Sequence, residues 1–139
     1  MRGNTQGNNL ANNAANSLEN SQLWYVDSVC SRHITGEKSN FLSLIASDGG
    51  SVAFGNGKSG TIIDIGKIGE SLPHSIDNVY LLDGLQHNLL SVSQLCDKDN
   101  LVVFSPTRCL VVNMNTGDVM LRGKRYKNVY KVLPFPKII

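Results

Sequence analysis

Between Leu23 and Val132 the chain consists almost entirely of short apolar runs separated by Gly, Asn, Asp and Ser. Trp24–Val26, Val52–Phe54, Thr61–Ile65, Val79–Leu82, Leu101–Phe104, Leu110–Asn113, Val119–Leu121 and Val129–Val132 are rich in β-branched and aromatic residues. Runs this short, with this chemistry and spacing, predict an all-β barrel or sandwich. Gly55-Asn56-Gly57, between two such runs, predicts a hairpin tip, because Gly and Asn tolerate the positive φ that tight turns need. Asn115-Thr116-Gly117-Asp118 predicts a second. Only Leu89–Cys96, with Leu89, Val92 and Leu95 in register, carries helical spacing, so one short helix is expected.

A chain of 139 residues, 41% hydrophobic, can bury one modest core. The charge balance of 13 Lys+Arg against 11 Asp+Glu argues against both a strongly basic platform and an acidic tail. Residues 1–22 hold seven Asn and no aromatic, Val or Ile. So little buriable surface cannot offset the entropy of ordering a backbone, which predicts a flexible linker continuing from a longer chain upstream. The folded body is expected over 23–132. Pro134-Phe135-Pro136 interrupts further strand pairing and predicts a frayed tail over 133–139. The apolar runs are too short for a membrane span, and the first residues lack a secretory apolar region. Three widely spaced cysteines (Cys30, Cys96, Cys109) then read as free thiols in a reducing, intracellular compartment.

Three segments carry candidate chemistry. In Trp24-Tyr25-Val26-Asp27-Ser28 an apolar strand runs into an acid and a hydroxyl. A partly desolvated carboxylate there suits proton transfer, although an Asp-Ser turn is the plainer reading. The hairpin Ser51–Ile63, with Phe54, Gly55, Asn56 and Gly57 at its tip, reads either as a flap closing over a ligand or as a loose exposed turn. It does not fit a phosphate loop, since no helix opens after Lys58. Asn88-Leu89-Leu90-Ser91 would plug a barrel interior, or cap the helix with Ser91 near its start. Cys30 and His33 form a single close pair where zinc sites use two, so no metal or other cofactor is expected. A Cys/His nucleophile lacks a third, orienting group, and the histidines read as surface or half-buried hydrogen-bonding residues. Arg32 and Lys38, near the Asp27 loop, are too few for a nucleic-acid face, so no direct nucleic-acid contact is expected.

Taken in order, these fragments resemble a known family. Trp24-Tyr25-Val26-Asp27-Ser28-Val29-Cys30-Ser31-Arg32-His33-Ile34-Thr35-Gly36 is similar to the opening of the protease region of copia-type LTR retrotransposon polyproteins, usually W-x-x-D-S-G-(A/C)-S-x-H-(M/I)-T. Asn78-Val79-Tyr80 and Leu85-Gln86-His87-Asn88-Leu89-Leu90-Ser91-Val92-Ser93-Gln94-Leu95 resemble its second hallmark. Thr116-Gly117-Asp118-Val119 and Asn128-Val129-Tyr130-Lys131-Val132 resemble its run toward integrase. The likeness covers about Leu23–Val132, and the Asn-rich 1–22 fits a linker downstream of a Gag zinc knuckle.

The resemblance implies a small, retropepsin-like closed β-barrel working as a homodimer. Two copies of Asp27 would activate a water, with Ser28 bracing the loop. Phe54, Gly55, Asn56 and Gly57 would belong to the flap, and Asn88, Leu89 and Leu90 would support the active loop from behind. Substrates would be extended segments of the element's own polyprotein, cleaved in the cytoplasm or inside virus-like particles, with no membrane involved. Two positions depart from the pattern. Val29 stands where the family has Gly, adding a β-branched side chain beside Asp27-Ser28 that would impair catalysis. Asp64 also stands where Gly is commoner. The alternative is a catalytically inactive β-barrel module of the same origin.

Overall fold

A computed structural model describes residues 23–55, 57–69 and 75–132. The expected linker 1–22 and tail 133–139 lie outside the described residues, as does Asn56. Eleven strands follow in chain order: β1 (Trp24–Asp27), β2 (His33–Thr35), β3 (Phe41–Ala46), β4 (Ser51–Ala53), β5 (Ser59–Ile68), β6 (Ile76–Leu82), β7 (Leu89–Ser91), β8 (Asn100–Phe104), β9 (Arg108–Asn113), β10 (Val119–Tyr126) and β11 (Val129–Val132). One short helix, α1 (Val92–Asp97), follows β7, and a single 3-10 turn spans Lys38–Asn40. The fold is all-β with one short helix, as the punctuated runs predict. Among the described residues no helix is long and apolar enough to cross a membrane.

The strands form one sheet in the order β3-β5-β6-β2-β7-β1-β11-β10-β9-β8, with β4 paired to β5. β1 with β7 and β2 with β6 run parallel, and the other pairs are antiparallel. β3 and β8 end the hydrogen-bonded path, so backbone ladders do not close the barrel. The sheet wraps instead around a core of Trp24, Ile68, Val79, Leu90, Leu95, Cys109, Val111, Leu121 and Val132. Alternation decides these faces: in β10, Leu121 and Gly123 are buried while Arg122 and Lys124 are exposed. Gly123 admits no larger residue, because a Cβ there would fall 2.5 Å from Val132 and 2.6 Å from the Cys109 sulfur.

The helix expected over Leu89–Cys96 starts later. Leu89–Ser91 is a strand, with Leu89 opposite Tyr25 and Leu90 opposite Val26. Ser91 marks the switch: extended itself, it accepts the Gln94 N–H at 3.2 Å and caps α1. Two strands were not anticipated. β2 is only three residues long. β3 is an edge strand in which Leu42 and Ile45 face solvent, Ile45 being 75% exposed, while Phe41 and Leu44 are half-buried, so no alternation announces it.

Candidate active site

Asp27 is the last residue of β1, in the middle of the sheet, opposite Ser91 of β7. The strand stops there because the carboxylate turns back on its own chain. Its Oδ1 accepts the N–H of Val29 at 2.7 Å and of Cys30 at 3.2 Å, closing an Asx turn. Asp27 is half-buried and Ser28 is exposed, with no partner for the Ser28 hydroxyl among the described residues. Val29 is 79% exposed. Positive φ among described non-glycine residues occurs at Asn78, Asp99 and Lys127, not at Val29. Val29 thus makes the turn without backbone strain and donates the N–H to Asp27 that a glycine would donate. What it adds to the loop is exposed bulk.

Behind the turn lies a buried polar lock that joins the two stretches of family resemblance. His33 is 1% exposed, and its Nδ1 accepts the Ser91 N–H at 2.9 Å. The Ser91 hydroxyl donates to the Cys30 carbonyl at 2.8 Å. Gln94 reaches from α1, accepting the His33 N–H at 2.8 Å and donating to the Asn78 carbonyl at 2.9 Å. Thr35 donates its hydroxyl to Asn88 Oδ1 at 2.5 Å, and Asn88 Nδ2 donates to the Leu23 carbonyl at 3.0 Å. Groups this deeply buried must be paired, since an unmade hydrogen bond there costs about 1–3 kcal/mol. Burial, and secondarily the Arg32 charge, lower the His33 pKa from 6.5 to about 4. His33 is therefore neutral with its proton on Nε2, more deeply buried than the surface or half-buried residue expected.

The free cysteines divide in the same way, with Cys30 and Cys109 buried and Cys96 exposed. Burial first, then the neighbouring Asp27 charge, push the Cys30 thiol up to about 11, far from a reactive thiolate. Burial raises the Cys109 thiol too.

Two adjoining cavities describe the open side. One, of about 430 Å³, is lined by Tyr25, Val26, Asp27, Ser28, His87, Leu89 and Val129. The other, of about 340 Å³, lies between Phe54, Lys58–Gly60 and the Leu82–His87 segment. His87 lines both and packs edge-on against Tyr25, ring centres 6.0 Å apart. The hairpin at the second cavity is narrow: Phe54 and Lys58 pair through the Phe54 N–H at 3.0 Å, and Gly55 and Gly57 hold φ of +104° and +70°. Of the sequence-derived candidates, Asp27, Ser28 and Leu89 meet in the first cavity and Phe54 lines the second. Asn88 and Leu90 lie buried behind the groove. Asp64 is half-buried in β5, beside a register shift and opposite Leu81 and Ala46, outside either cavity. The sequence reading passed over Tyr25, His87 and Gln94 as separate actors. All three sit inside the resembling stretches, but only the fold shows their partners.

The family model described as Pol polyprotein, beta-barrel domain, matches residues 24–100. The Retrovirus-related Pol polyprotein from transposon RE1 of Arabidopsis thaliana is 30% identical over 117 residues, covering 81% of this chain and 8% of the relative. That from transposon RE2 of the same plant is 32% identical over 119 residues, again 81% of this chain and 8% of the relative. The chain thus spans about 8% of the length of these curated relatives. No solved structure matches it. With the strand-terminal Asp27, strands β1–β7 and the six-residue helix lying inside the matched stretch, the chain belongs to the Pol polyprotein β-barrel domain family.

Proposed function

We propose that this chain is one half of a retropepsin-type aspartic endopeptidase, in which Asp27 from each of two copies activates a shared water. The observation that carries this reading is the placement of Asp27. It ends a central strand, half-buried, on an open groove of about 430 Å³, with its carboxylate aimed by two backbone N–H groups. One chain offers one such carboxylate, so a two-fold pair is required. Two carboxylates that close cannot both ionise cheaply and share a proton. The ionised one takes a proton from water as it attacks, and the protonated one polarises the scissile carbonyl. The Ser28 hydroxyl, which has no partner among the described residues, braces the second copy's loop. The hairpin bearing Phe54 closes over an extended peptide held by strand-like pairing, and polyprotein segments of the relatives' kind are the substrates.

A second reading, a β-barrel module without turnover, is favoured by Val29. Its exposed branched side chain stands beside Asp27-Ser28, where a second loop must approach. Displacing a catalytic group by about 1 Å can lower a rate on the order of a hundredfold. The test is cleavage of polyprotein-derived peptides at mildly acidic pH, with molecular mass measured on the same samples. The unaltered chain is expected to cleave slowly or not at all, Val29→Gly to cleave faster, and Asp27→Asn in that background to be inert. Efficient cleavage by the unaltered chain would refute the role given to Val29. A folded, dimeric Val29→Gly protein that stays inert would leave the module without turnover.

A further inference from the structure

The outer face of β9, β10 and β11 gathers cations that lie far apart in the sequence. Lys124 stands directly opposite Arg108 on one side and Lys131 on the other, and Lys131 stands opposite Tyr25 of β1. Arg122 projects from the same face, two residues along β10 from Lys124. Neighbouring strands are about 4.8 Å apart, and like charges directly opposite each other destabilise a sheet. Among the described residues none of these cations is ion-paired with a carboxylate. Residues 108–131 contain six Lys or Arg and a single acid, Asp118, which lies at the β9–β10 turn. The ion pair found among the described residues, Lys67 with Asp77, is elsewhere. The row borders a groove of about 640 Å³, lined also by Leu110 and Tyr126.

We propose that this face binds single-stranded nucleic acid, its cations taking successive phosphates and Tyr126 taking a base. The Lys131 ammonium sits over the Tyr126 ring at 4.4 Å and within 5.5 Å of the Tyr25 ring, and the Lys127 ammonium lies 5.7 Å from the Tyr126 ring, so a base that stacks there displaces one of these cations toward a phosphate. Tyr126 is 57% exposed. A cationic sheet face with an accessible ring is the arrangement that binds single strands, through phosphate contacts and base stacking. An acidic peptide would use the cations and leave the ring idle, and a duplex keeps its bases stacked inside. The expectation of no nucleic-acid contact rests on the near-balanced charge, on Arg32 and Lys38 being too few, and on the lack of aromatics interleaved with basic residues along the sequence. The present row is assembled by strand register, which neither net charge nor linear spacing discloses. Phosphodiester chemistry is common to RNA and DNA, so both are probes.

The experiment is fluorescence anisotropy of the full chain with labelled 12-residue oligouridylate and oligodeoxyuridylate between 50 and 200 mM salt. Four phosphate contacts, one each for Arg108, Arg122, Lys124 and Lys131, predict a slope of log K against log salt near about −3, or roughly fifty-fold weaker binding across that range. Lys124→Glu should weaken binding on the order of tenfold or more and flatten the slope. It should also hold or raise the melting temperature by relieving the repulsion with Arg108 and Lys131, which separates lost binding from lost folding. Tyr126→Ala should weaken binding with the slope unchanged, and Lys38→Glu should change neither. Oligouridylate binding in preference to oligodeoxyuridylate, or the reverse, would identify the sugar read within the same proposal. The proposal is overturned by absence of saturable binding at 50 mM salt, by indifference to Lys124→Glu and Tyr126→Ala, or by equal competition from oligoglutamate.

Discussion

The two sides of the candidate site are built on opposite principles. Behind Asp27, the seam of β1, β2, β7 and α1 is buried and cross-linked by side-chain hydrogen bonds: His33, Thr35, Asn88, Ser91 and Gln94 are each at most 6% exposed. Across the groove, the β4–β5 hairpin has a three-residue arm, an exposed Lys58 and two positive-φ glycines at its tip. A desolvated hydrogen-bond network with one satisfied arrangement holds a carboxylate to a fixed position. A hairpin with few buried contacts opens at small free-energy cost. An enzyme that closes over a chain-like substrate needs both, and the contrast can be broken from either side.

The largest effect is expected from Gln94→Ala. It strands the His33 N–H in the core, at about 1–3 kcal/mol, and removes the part-buried hydrogen bond to the Asn78 carbonyl, worth about 0.5–1.5 kcal/mol. A loss of about 3–4 kcal/mol in urea-unfolding free energy is expected, against marginal domain stabilities of 5–15 kcal/mol. A loss under about 1 kcal/mol would show that the lock is not holding the seam.

Acid attacks the same seam. The folded protein keeps His33 neutral down to about pH 4, whereas the unfolded chain takes up a proton near 6.5. Unfolding therefore binds a proton between those values. The stability contributed by neutral His33 is complete above pH 6.5 and falls through that window by up to about 3 kcal/mol. Unfolding free energy measured from pH 7 to 4 should decline accordingly. His33→Asn, whose Oδ1 can still accept the Ser91 N–H, should flatten the decline. An equally steep decline in that variant would place the titration elsewhere. Any peptidase assay at acid pH works against this slope, so about pH 5.5 is a better choice than pH 4.

The seam and the hairpin were unequally legible. Asp27 at a strand end, the glycine-bearing tip and Ser91 as a helix cap could be read locally, because each depends on a few consecutive residues. The all-β class followed from run length. The Leu89-Leu90 strand did not, because Leu89, Val92 and Leu95 satisfy helical spacing while the strand pairing of Leu89 and Leu90 depends on β1, more than sixty residues away. Gln94 showed nothing of its role, since a buried glutamine is recognisable only through the carbonyl and N–H it meets. The row of Arg108, Lys124 and Lys131 was hidden for the same reason: register, not spacing, makes those residues neighbours.

On the hairpin side the expected effects shrink. Gly57 adopts φ +70° with nothing within 4 Å of an added Cβ, so Gly57→Ala meets backbone strain and no clash. A left-handed non-glycine residue costs about 1–2 kcal/mol, but a frayed tip can relax locally. A global loss of at most about 1 kcal/mol is expected, together with faster amide exchange confined to the hairpin tip. A loss as large as that of Gln94→Ala would mean that the hairpin is as rigidly built as the seam.

The smallest stability effect is expected at Val29, where the two sides of the groove would meet a second copy. In a single chain its side chain is 79% exposed and its backbone unstrained, and Gly can donate the same N–H to Asp27. Val29→Gly then acts mainly by loosening the unfolded chain, which costs about 0.4–1 kcal/mol. That loss should not vary with protein concentration if Val29 stays in water. A partner loop packed over it would change the result, because association couples stability to concentration. If unfolding is measured at low and high micromolar protein, a Val29→Gly effect that changes between them locates position 29 in an interface. An effect constant across that range keeps Val29 exposed in solution, and its bulk could then not be what holds two Asp27 loops apart.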